Sequence, residues 1–337
     1  MNVLSLFDGI SAGQVALERA GIVVDKYYAA EVDKHAIAVT KANYPGTVQL
    51  GDVTKWREWD IAWSSIDLLI GGSPCQGFSF AGKQLAFNDP RSALFFVYVD
   101  ILNHIRSTNP RVKFLLENVK MKKEFLDTIT EYLGVEPVFI NSALVSAQNR
   151  QRYYWANWDF VQPADKGIVL ADVLETNGDG CIKSHGEMKL KSDKSQCLDA
   201  NYHKGVDNHG QRTVVKCCAQ RGRYLVNGKR ADHKVDSMAG LTEQRYECRD
   251  DGKTNCLTTV QKDNLVLCDC QYRKLTPLEC ERLQTFPDNY TAHVSNTQRY
   301  KALGNSWTVD VVAHIFRSIP NTAVQLNSSH QTSSWWR

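Results

Sequence analysis

The chain has 337 residues, 43 % of them hydrophobic, and a formal net charge of only +3 at neutral pH. This length is enough for a large hydrophobic core together with a second, smaller domain. No uninterrupted apolar run approaches the ~18 residues that cross a bilayer, which argues against a membrane protein. The ten cysteines, in a chain that opens without an export signal, are typical of reduced thiols in the cytoplasm.

The first half of the chain alternates predicted strands with predicted helices, as in a doubly wound, mostly parallel α/β sheet. Runs typical of buried strands occur at Val3–Phe7, Lys26–Ala30, Ile66–Ile70, Phe114–Leu116 and Val138–Val145. Polar or chemically reactive residues follow these runs. Because the carboxyl ends of parallel strands meet at one end of a sheet, we expect those residues to line a single cleft.

A glycine-bearing turn, Asp8–Gly13, joins the first strand to a predicted helix at Gln14–Ala20. Such a turn lets a ligand approach the backbone and the amino terminus of the helix. The dinucleotide pattern G-x-G-x-x-G is absent, which favours a nucleoside ligand without phosphates. Glu31 follows the second strand at the distance expected of an acid that binds ribose hydroxyls, and a third strand ends at Gly51–Val53.

Cys75 lies directly after Pro74, in a segment with glycines on both sides that follows a predicted strand. This setting predicts a sharp turn at a strand end, whereas a packing cysteine usually lies inside a strand or helix. Gly77 and Gly82 leave the segment that ends at Pro90 able to move and to close over a substrate. We interpret Cys75 as a nucleophile; on this segment alone, an incidental cysteine in a loop remains the alternative.

Two more predicted strand ends carry polar side chains. Glu117 and Asn118 end the strand Phe114–Leu116, and Arg150 and Arg152 follow the next predicted strand. A thiol, a carboxylate, an amide and two guanidinium groups are therefore expected in the same cleft.

These blocks are similar, in their order, to the motifs of the DNA cytosine-C5 methyltransferase family. The similar blocks are Phe7–Gly13, Pro74–Gln76, Glu117–Val119, Gln148–Arg152, Arg273–Pro287 and Gly304–Val309. They cover about residues 1–160 and 273–316. Leu4–Ile10 and Trp307 resemble the animal de novo branch, whereas Pro74–Lys83 resembles the bacterial and phage enzymes.

The resemblance implies transfer of a methyl group from S-adenosyl-L-methionine to C5 of a cytosine flipped out of double-stranded DNA, within a specific sequence. C5 is a poor nucleophile, so the thiolate of Cys75 adds first at C6 while Glu117 protonates N3 of the ring. Asn118 is expected to support the turn of its motif. Arg150 and Arg152 are expected to hold the base carbonyl and a nearby phosphate, and Arg152 also to favour the thiolate.

The resemblance also implies a cofactor site. Glu31 suits the ribose hydroxyls, Asp52 suits the adenine amino group, and the backbone at Gly9–Gly13 suits the methionine end. Asn305 and Trp307 return to this site from the far end of the chain. The predicted cofactor set is Phe7, Asp8, Gly9, Ile10, Ser11, Gly13, Glu31, Val32, Asp52, Val53, Asn305, Ser306 and Trp307.

That return predicts a discontinuous catalytic domain, residues 1–172 plus 273–320, with the last helix, Thr308–Ile319, packed beside the first strand–helix unit. Residues 173–272 change to short strand-like runs separated by Gly, Asn and Asp, which predicts an inserted, strand-rich target-recognition domain. Residues 321–337, rich in Ser, Asn and Gln, are predicted to be a poorly ordered tail.

The predicted insertion contains a basic run without a single acid between Asp207 and Asp232. Arg221 and Arg223 flank a glycine in a stretch that we interpret as turn-like, and one of them is the candidate for base readout. A solvated basic face is the alternative. The predicted substrate-binding set is Pro74, Gln76, Ser79, Gln148, Arg212, Lys216, Arg221, Arg223, Lys229 and Arg230.

No metal is predicted, although the insertion holds eight cysteines and four histidines, because paired C-x-x-C knuckles are missing. Trp56, Trp59 and Trp63 crowd the segment after Asp52, where cofactor contact and ordinary packing fit equally well. Histidines 104 and 314 lie on apolar helical stretches and are interpreted as core or interface residues.

Two other functions stay open at this point. The RNA methyltransferases that act on tRNA share the same motifs, and a catalytically inactive homologue would keep the fold. For the leading interpretation we expect double-stranded DNA as partner, a monomer in solution, no membrane contact, and a cognate restriction endonuclease as a candidate partner in a bacterial or phage-infected cell. The recognition sequence is not predicted, because base readout depends on a few side chains whose frame the sequence does not show.

Overall fold

The computed structural model describes residues 1–73, 93–175 and 275–320, and between residues 195 and 273 the backbone of seven short strands. The segments 74–92 and 321–337 and the rest of 176–274 lie outside the described residues. The predictions for Cys75, for the segment that follows it and for the tail therefore stay predictions.

The centre of the molecule is a seven-stranded sheet. The first eight strands are β1 (Asn2–Leu6), β2 (Lys26–Ala30), β3 (Val48–Gln49), β4 (Leu68–Gly71), β5 (Lys113–Val119), β6 (Val138–Asn141), β7 (Gln148–Asn149) and β8 (Gln151–Ala156). All except β7 form this sheet, in the order β3-β2-β1-β4-β5-β8-β6. Strands β1 to β5 are parallel, and β8 runs antiparallel to both β5 and β6.

The strand register brings the predicted site residues to one end of the sheet. Leu6 pairs with Ala30 on one side and with Gly71 on the other, and Gly71 pairs with Leu116. The antiparallel β8 starts at this same end, since its Arg152 lies opposite the last residue of β5. We call this end, formed by the carboxyl ends of β1, β2, β4 and β5, the carboxyl end of the sheet; the prediction of a common cleft agrees with it.

Helices cover both faces of the sheet. They are α1 (Ala12–Arg19), α2 (Lys34–Asn43), α3 (Ala93–Thr108), α4 (Lys123–Leu133), α5 (Leu170–Val173), α6 (Pro277–Leu283), α7 (Asn296–Asn305) and α8 (Val309–Arg317). Side chains alternate across each strand, so Val3 and Leu115 pack with α1, α2 and α8, whereas Leu4 and Leu116 pack with α3 and α4. The doubly wound arrangement is confirmed.

The last helix packs against the first, as predicted. Arg19 of α1 forms an ion pair with Asp310 of α8 at 2.7 Å, and Arg317 donates to the backbone carbonyl of Arg19. On the same face of the sheet, the indole of Trp158 donates to the carbonyl of Ile315. These contacts place α8, at the end of the described residues, beside α1 near their beginning.

The predicted insertion leaves and re-enters the catalytic part at one place. The backbone N–H of Glu175 donates to Glu279 at 3.0 Å, and the hydroxyl of Thr276 donates to the carboxylate of Glu175. Thr276 and Glu279 also cap α6 reciprocally, which stabilises the first turn of that helix. Because residues 175 and 276 adjoin, an inserted domain between them fits the architecture without distorting the sheet.

Between these two points the structure describes seven short strands. The strands are β9 (Ser195–Gln196), β10 (Cys218–Arg223), β11 (Leu225–Val226), β12 (Lys229–Arg230), β13 (Glu243–Cys248), β14 (Val266–Cys268) and β15 (Gln271–Arg273). They pair as β10 with β13, β11 with β12, β14 with β15 and β7 with β9.

Two local predictions are corrected. The stretch at Arg221 and Arg223 is not a turn but the end of β10, where Arg221 pairs with Arg245 across an antiparallel ladder. Gly222 is a poor strand former, and the pairing with β13 outweighs its local preference. The strand predicted at Val138–Val145 ends at Asn141, whose side chain accepts from the backbone N–H of Ala143 and caps a short 3₁₀ turn.

Candidate active site

Glu117 lies near the end of β5 and is only 8 % exposed. One of its carboxylate oxygens forms an ion pair, and the other accepts a hydrogen bond. Nε of Arg152 lies 2.9 Å from Oε1, and the indole Nε1 of Trp307 donates to Oε2 at 3.1 Å. A Cβ atom on Gly72 would lie 2.9 Å from both Oε2 and the indole nitrogen, so the site needs a glycine there. The end of β5 therefore carries a buried carboxylate with two partners, Arg152 and Trp307.

Asn118 joins β5 to the chain that follows β4. Its Nδ2 atom lies 3.3 Å from Oγ of Ser73 and 3.5 Å from the carbonyl oxygen of Ser73, and its Oδ1 accepts from the backbone N–H of Val119. Ser73 is the last described residue before the predicted nucleophile. The amide thus supports the start of that segment, while Pro74, Cys75, Gln76 and Ser79 lie outside the described residues.

Arg150 and Gln148 have partners that the sequence did not predict. Arg150 is buried and donates to the carbonyl of Ser306 at 2.9 Å and to the carbonyl of Gly304 at 3.4 Å. Gln148 is fully buried and donates to the carbonyl of Leu283 at 3.1 Å. Both were predicted to contact substrate; in the structure Arg150 holds the chain that carries the predicted cofactor residues Asn305 to Trp307, and Gln148 holds the end of α6.

The turn between β1 and α1 has an unusual backbone. Phe7, Gly9 and Ser11 all have positive φ, at 57°, 61° and 57°. Left-handed conformations are strained for residues other than glycine, so surrounding bonds must hold them. Gly9 donates its N–H to Glu31 at 2.8 Å, and the hydroxyl of Tyr290 donates to the carbonyl of Ile10 at 2.7 Å. The turn is therefore preorganised by contacts from distant parts of the chain.

Gly13 ends the same turn, and a larger residue at this position would displace the neighbouring side chains of Ile70 and Tyr27. A Cβ atom there would lie 2.5 Å from Cδ1 of Ile70 and 2.6 Å from the hydroxyl of Tyr27. The second glycine of the predicted cofactor turn is thus required by packing against β2 and β4 rather than by its own φ angle.

Asp8 accepts hydrogen bonds from Tyr27 at 2.8 Å and from the hydroxyl of Ser11. Loss of solvent around the carboxyl raises the pKa of Asp8 from 3.8 to about 6, against the lowering effect of hydrogen bonds from Ser11, Ser5 and Tyr27. The sequence prediction placed this carboxylate among the cofactor contacts. The structure shows that it also bonds within the protein, across the base of the turn.

Glu31 connects two loops at the carboxyl end of the sheet. Its Oε1 accepts from the backbone N–H groups of Val32 and Asp33, each at 2.8 Å, and its Oε2 accepts from Gly9. Asp52 uses Oδ1 to accept from the N–H and hydroxyl of Thr54, and these hydrogen bonds hold the pKa of Asp52 below its usual range. A carboxylate has about four lone-pair sites, so both acids can accept further donors.

Val32 is 71 % exposed and lies next to Glu31. An exposed apolar side chain beside the carboxylate of Glu31 fits a nucleoside, because the base can pack on the valine while the sugar hydroxyls donate to the acid. The residues present therefore fit an adenosyl group, which supports the cofactor predicted from the sequence.

The tryptophans after Asp52 pack mainly with one another and with α3. Trp56 is buried and makes an edge contact with Trp63 at 5.6 Å, and His104 of α3 makes an edge contact with Trp63 at 4.8 Å. Trp59 stacks on Trp63. His314 of α8 bonds to the carbonyl of Val161. These contacts favour ordinary packing over cofactor contact for Trp56, and they agree with the interpretation of both histidines as core or interface residues.

A surface cavity of about 430 Å³ lies between α1 and the loop after α2. Its lining includes Asp25 and Thr47, which directly precede β2 and β3. It therefore lies at the other end of the sheet from Glu117. Within the described ranges, no cluster of His, Cys, Asp and Glu is suited to a metal ion, and no helix is long and apolar enough to cross a membrane.

Comparisons with known proteins agree with this geometry. The profile of a family described as C-5 cytosine-specific DNA methylase matches residues 1–321. The type II methyltransferase M1.ScrFI of Lactococcus lactis subsp. cremoris is 30 % identical over 334 residues, covering 92 % of this chain and 75 % of that protein. M.NlaX of Neisseria lactamica is 30 % identical over 333 residues, covering 93 % and 94 %. The orphan methyltransferase M.SPRI of Bacillus phage SPR is 25 % identical over 441 residues, covering 97 % and 99 %.

Solved structures show the same fold. A DNMT2 mutant of Spodoptera frugiperda superposes with a TM-score of 0.58 at 20 % identity, covering 94 % of this chain and 98 % of that one. A putative DNA modification methyltransferase encoded within an E. coli prophage superposes with a TM-score of 0.53 at 19 % identity, covering 94 % and 98 %. With the family match and the relatives above, the conclusion is that this chain belongs to the C-5 cytosine-specific DNA methylase family and is a DNA cytosine-C5 methyltransferase.

Proposed function

We propose that the enzyme methylates a cytosine flipped out of double-stranded DNA, within a specific sequence, using S-adenosyl-L-methionine and a covalent adduct between Cys75 and C6. The observation that carries the proposal is the buried carboxylate of Glu117, paired with Arg152 and Trp307 at the carboxyl end of the sheet. The Asn118 contact to Ser73 supports the mechanism, because it anchors the chain two residues before Cys75. Two residues span at most about 7 Å, which keeps the thiol within reach of the same end.

The proposed chemistry divides between two residues. The thiolate of Cys75 attacks C6, and Glu117 protonates N3, so that negative charge does not accumulate on the ring. The addition consumes the C5–C6 double bond and leaves a C4–C5 double bond, an enamine whose C5 is nucleophilic. After methylation, loss of the C5 proton and expulsion of the Cys75 thiolate restore the C5–C6 double bond, and N3 returns its proton to Glu117, which restores the enzyme. Arg152 orients Glu117 through their 2.9 Å contact.

S-adenosyl-L-methionine, when bound, supplies an electrophilic methyl group on a sulfonium. Glu31 and Asp52 would hold its ribose hydroxyls and adenine amino group, and Val32 would pack against the base. The preorganised turn at Phe7–Ser11 would present its backbone to the methionine end.

The domain division stays part of the proposal: residues 1–172 and 273–320 as catalytic part, and 173–272 as target-recognition domain. The adjoining ends at Glu175 and Thr276 support it. Basic residues of the insertion are proposed to contact DNA phosphates and bases. We also propose a monomer and, because several relatives are type II methyltransferases of bacteria, action in the cytoplasm of a bacterial or phage-infected cell beside a cognate endonuclease.

Bisulfite sequencing of plasmid DNA from cells that express the chain tests this function. Protected cytosines within one recurring sequence are the expected result, and their absence in cells that express Cys75→Ala is the matched control. Protection of cytosines in tRNA but not in plasmid DNA would show that the substrate is RNA.

A further inference from the structure

The indole N–H of Trp307 has a polar partner that its predicted place in the cofactor site does not explain. Nε1 donates to Oε2 of Glu117 at 3.1 Å, across 190 residues of chain. An indole nitrogen only donates, so it cannot exchange roles with the carboxylate. A residue that packs against a cofactor needs only an apolar ring or side chain. The N–H is therefore the feature that calls for an explanation.

A glutamate carboxyl has a weak torsional preference about its last bond, so one contact leaves its two oxygens free to rotate. The ion pair with Arg152 attracts Oε1 without setting the rotation of the carboxyl. The hydrogen bond from Trp307 to Oε2 sets that rotation. Gly72 makes room for this contact, since a Cβ there would displace both Oε2 and the indole nitrogen.

The backbone on both sides of Trp307 is held in place, so the indole acts as a fixed donor. Arg150 donates to the carbonyl of Ser306 at 2.9 Å. Gln284 donates to the carbonyl of Leu303 at 2.7 Å and accepts from the hydroxyl of Thr308 at 2.9 Å. These residues are buried, where the loss of a hydrogen bond is costly, so the bonds hold the backbone beside Trp307 firmly.

We propose that Trp307 is a positioning residue for Glu117: its indole N–H sets the rotation of the carboxyl that exchanges a proton with the base. The inference rests on the proposed role of Glu117 as the acid. A misplaced proton donor lowers the rate of the chemical step more than it lowers substrate binding. The contribution of Trp307 is thus to turnover through Glu117, separate from any contact with the cofactor.

Trp307→Phe tests this, because it removes the N–H and keeps an aromatic ring. The expected result is a kcat about 10- to 100-fold lower, the range of a hydrogen bond to a charged group, with KM for DNA within about twofold of the wild type. Trp158→Phe is the matched control, since it removes another buried indole donor, one that bonds the carbonyl of Ile315. This control should keep the wild-type kcat.

The double variant with Glu117→Gln separates positioning from general damage. If Trp307 acts through Glu117, adding Trp307→Phe to Glu117→Gln lowers kcat by less than twofold further. An unchanged kcat in the single variant, or the same fold-loss in both backgrounds, overturns the proposal and leaves Trp307 as a packing residue.

A spectroscopic measurement on the cofactor-free enzyme does not depend on activity. The ¹⁵N–¹H indole signal of Trp307 is the one that disappears in Trp307→Phe. In Glu117→Gln it should move upfield, because an amide oxygen is a weaker acceptor than a carboxylate, while the Trp158 signal stays in place. A Trp307 signal that does not respond overturns the inference. Wild-type turnover in Glu117→Gln instead refutes the proposed acid, and the signal still reports whether the bond exists.

Discussion

Arg152 and Glu117 are diagonal neighbours across the antiparallel pair β5–β8, with Nε of Arg152 2.9 Å from Oε1 of Glu117. Arg152 lies opposite Val119 and Glu117 lies opposite Tyr154, so the two side chains share a face two positions apart. The reversal of β8 is what places the guanidinium at the carboxyl end of the parallel strands. A parallel strand in that position would carry its first residues to the opposite end.

Glu117→Gln is expected to lower the rate of methyl transfer by several orders of magnitude, because an amide cannot give N3 a proton and recover it. The affinity for DNA should change by less than about threefold. Single-turnover methylation and a DNA titration measure the two effects. Equal losses in binding and turnover would instead make Glu117 a residue that positions the substrate.

Cys75→Ala is expected to abolish methylation and trapping on DNA that carries 5-fluorocytosine at the target, because both require the thiolate. Cys280→Ala is the matched control. Cys280 is buried in α6, and burial raises the pKa of its thiol well above the usual value, so it is a poor nucleophile. A covalent adduct in the Cys75 variant would assign the reaction to another cysteine.

Gly72→Ala is expected to lower turnover strongly while the protein stays folded. The new Cβ would lie 2.9 Å from both Oε2 of Glu117 and the indole nitrogen of Trp307, so both groups would have to shift and their hydrogen bond would be disturbed. Gly46→Ala is a matched control, because nothing lies within 4 Å of a Cβ at that position. The test compares the kcat of the two variants, and thermal unfolding checks that both are folded. Equal activity in both would show that Glu117 tolerates displacement.

Asp8→Asn is expected to change how stability depends on pH. The pKa of Asp8 is raised to about 6 in the folded protein, so between about pH 4 and pH 6 the folded state holds a proton that the unfolded state has lost. The free energy of unfolding therefore falls as pH rises through this window, by up to about 3 kcal/mol from this group. Urea unfolding at several pH values should show this fall in the wild type and not in the variant.

Tyr27→Phe provides the control for that measurement. It removes a hydrogen bond that stabilises the charged form of Asp8, so the fall in stability should extend to higher pH. If both variants showed the same dependence of unfolding free energy on pH as the wild type, Asp8 would not be the group that titrates in this window.

Basic residues of the insertion are expected to divide into two kinds. Lys216→Ala, Lys229→Ala and Arg230→Ala should weaken binding to all duplexes alike and flatten the salt dependence by about one unit each. Arg221→Ala or Arg223→Ala should cost about 1–3 kcal/mol on the cognate site only. Titration against cognate and scrambled duplexes at several salt concentrations separates the two kinds. No change in all five variants would make the basic run a solvated face.

The sequence by itself determined six of the seven strands of the sheet, all except β8, and the end at which the chemistry lies. Apolar runs predict strands, and residues directly after them must lie at the strand ends, because that is a local property of the chain. Glu31, Glu117 and Asn118 were placed correctly on this basis. The order of the motif blocks then predicted the family and the packing of α8 against α1, which the contact between Arg19 and Asp310 confirms.

Only the tertiary structure decided which of these side chains meet. Glu117 and Trp307 are 190 residues apart, and no local preference of either residue specifies that contact. Arg150 and Gln148 are residue types that often bind substrates, and only the folded structure shows that both are buried and donate to backbone carbonyls of Ser306 and Leu283. Likewise, pairing with β13 made a strand of residues around Gly222 that locally favour a turn. Partner choice depends on contacts distant in sequence, whereas strand ends depend on neighbours along the chain.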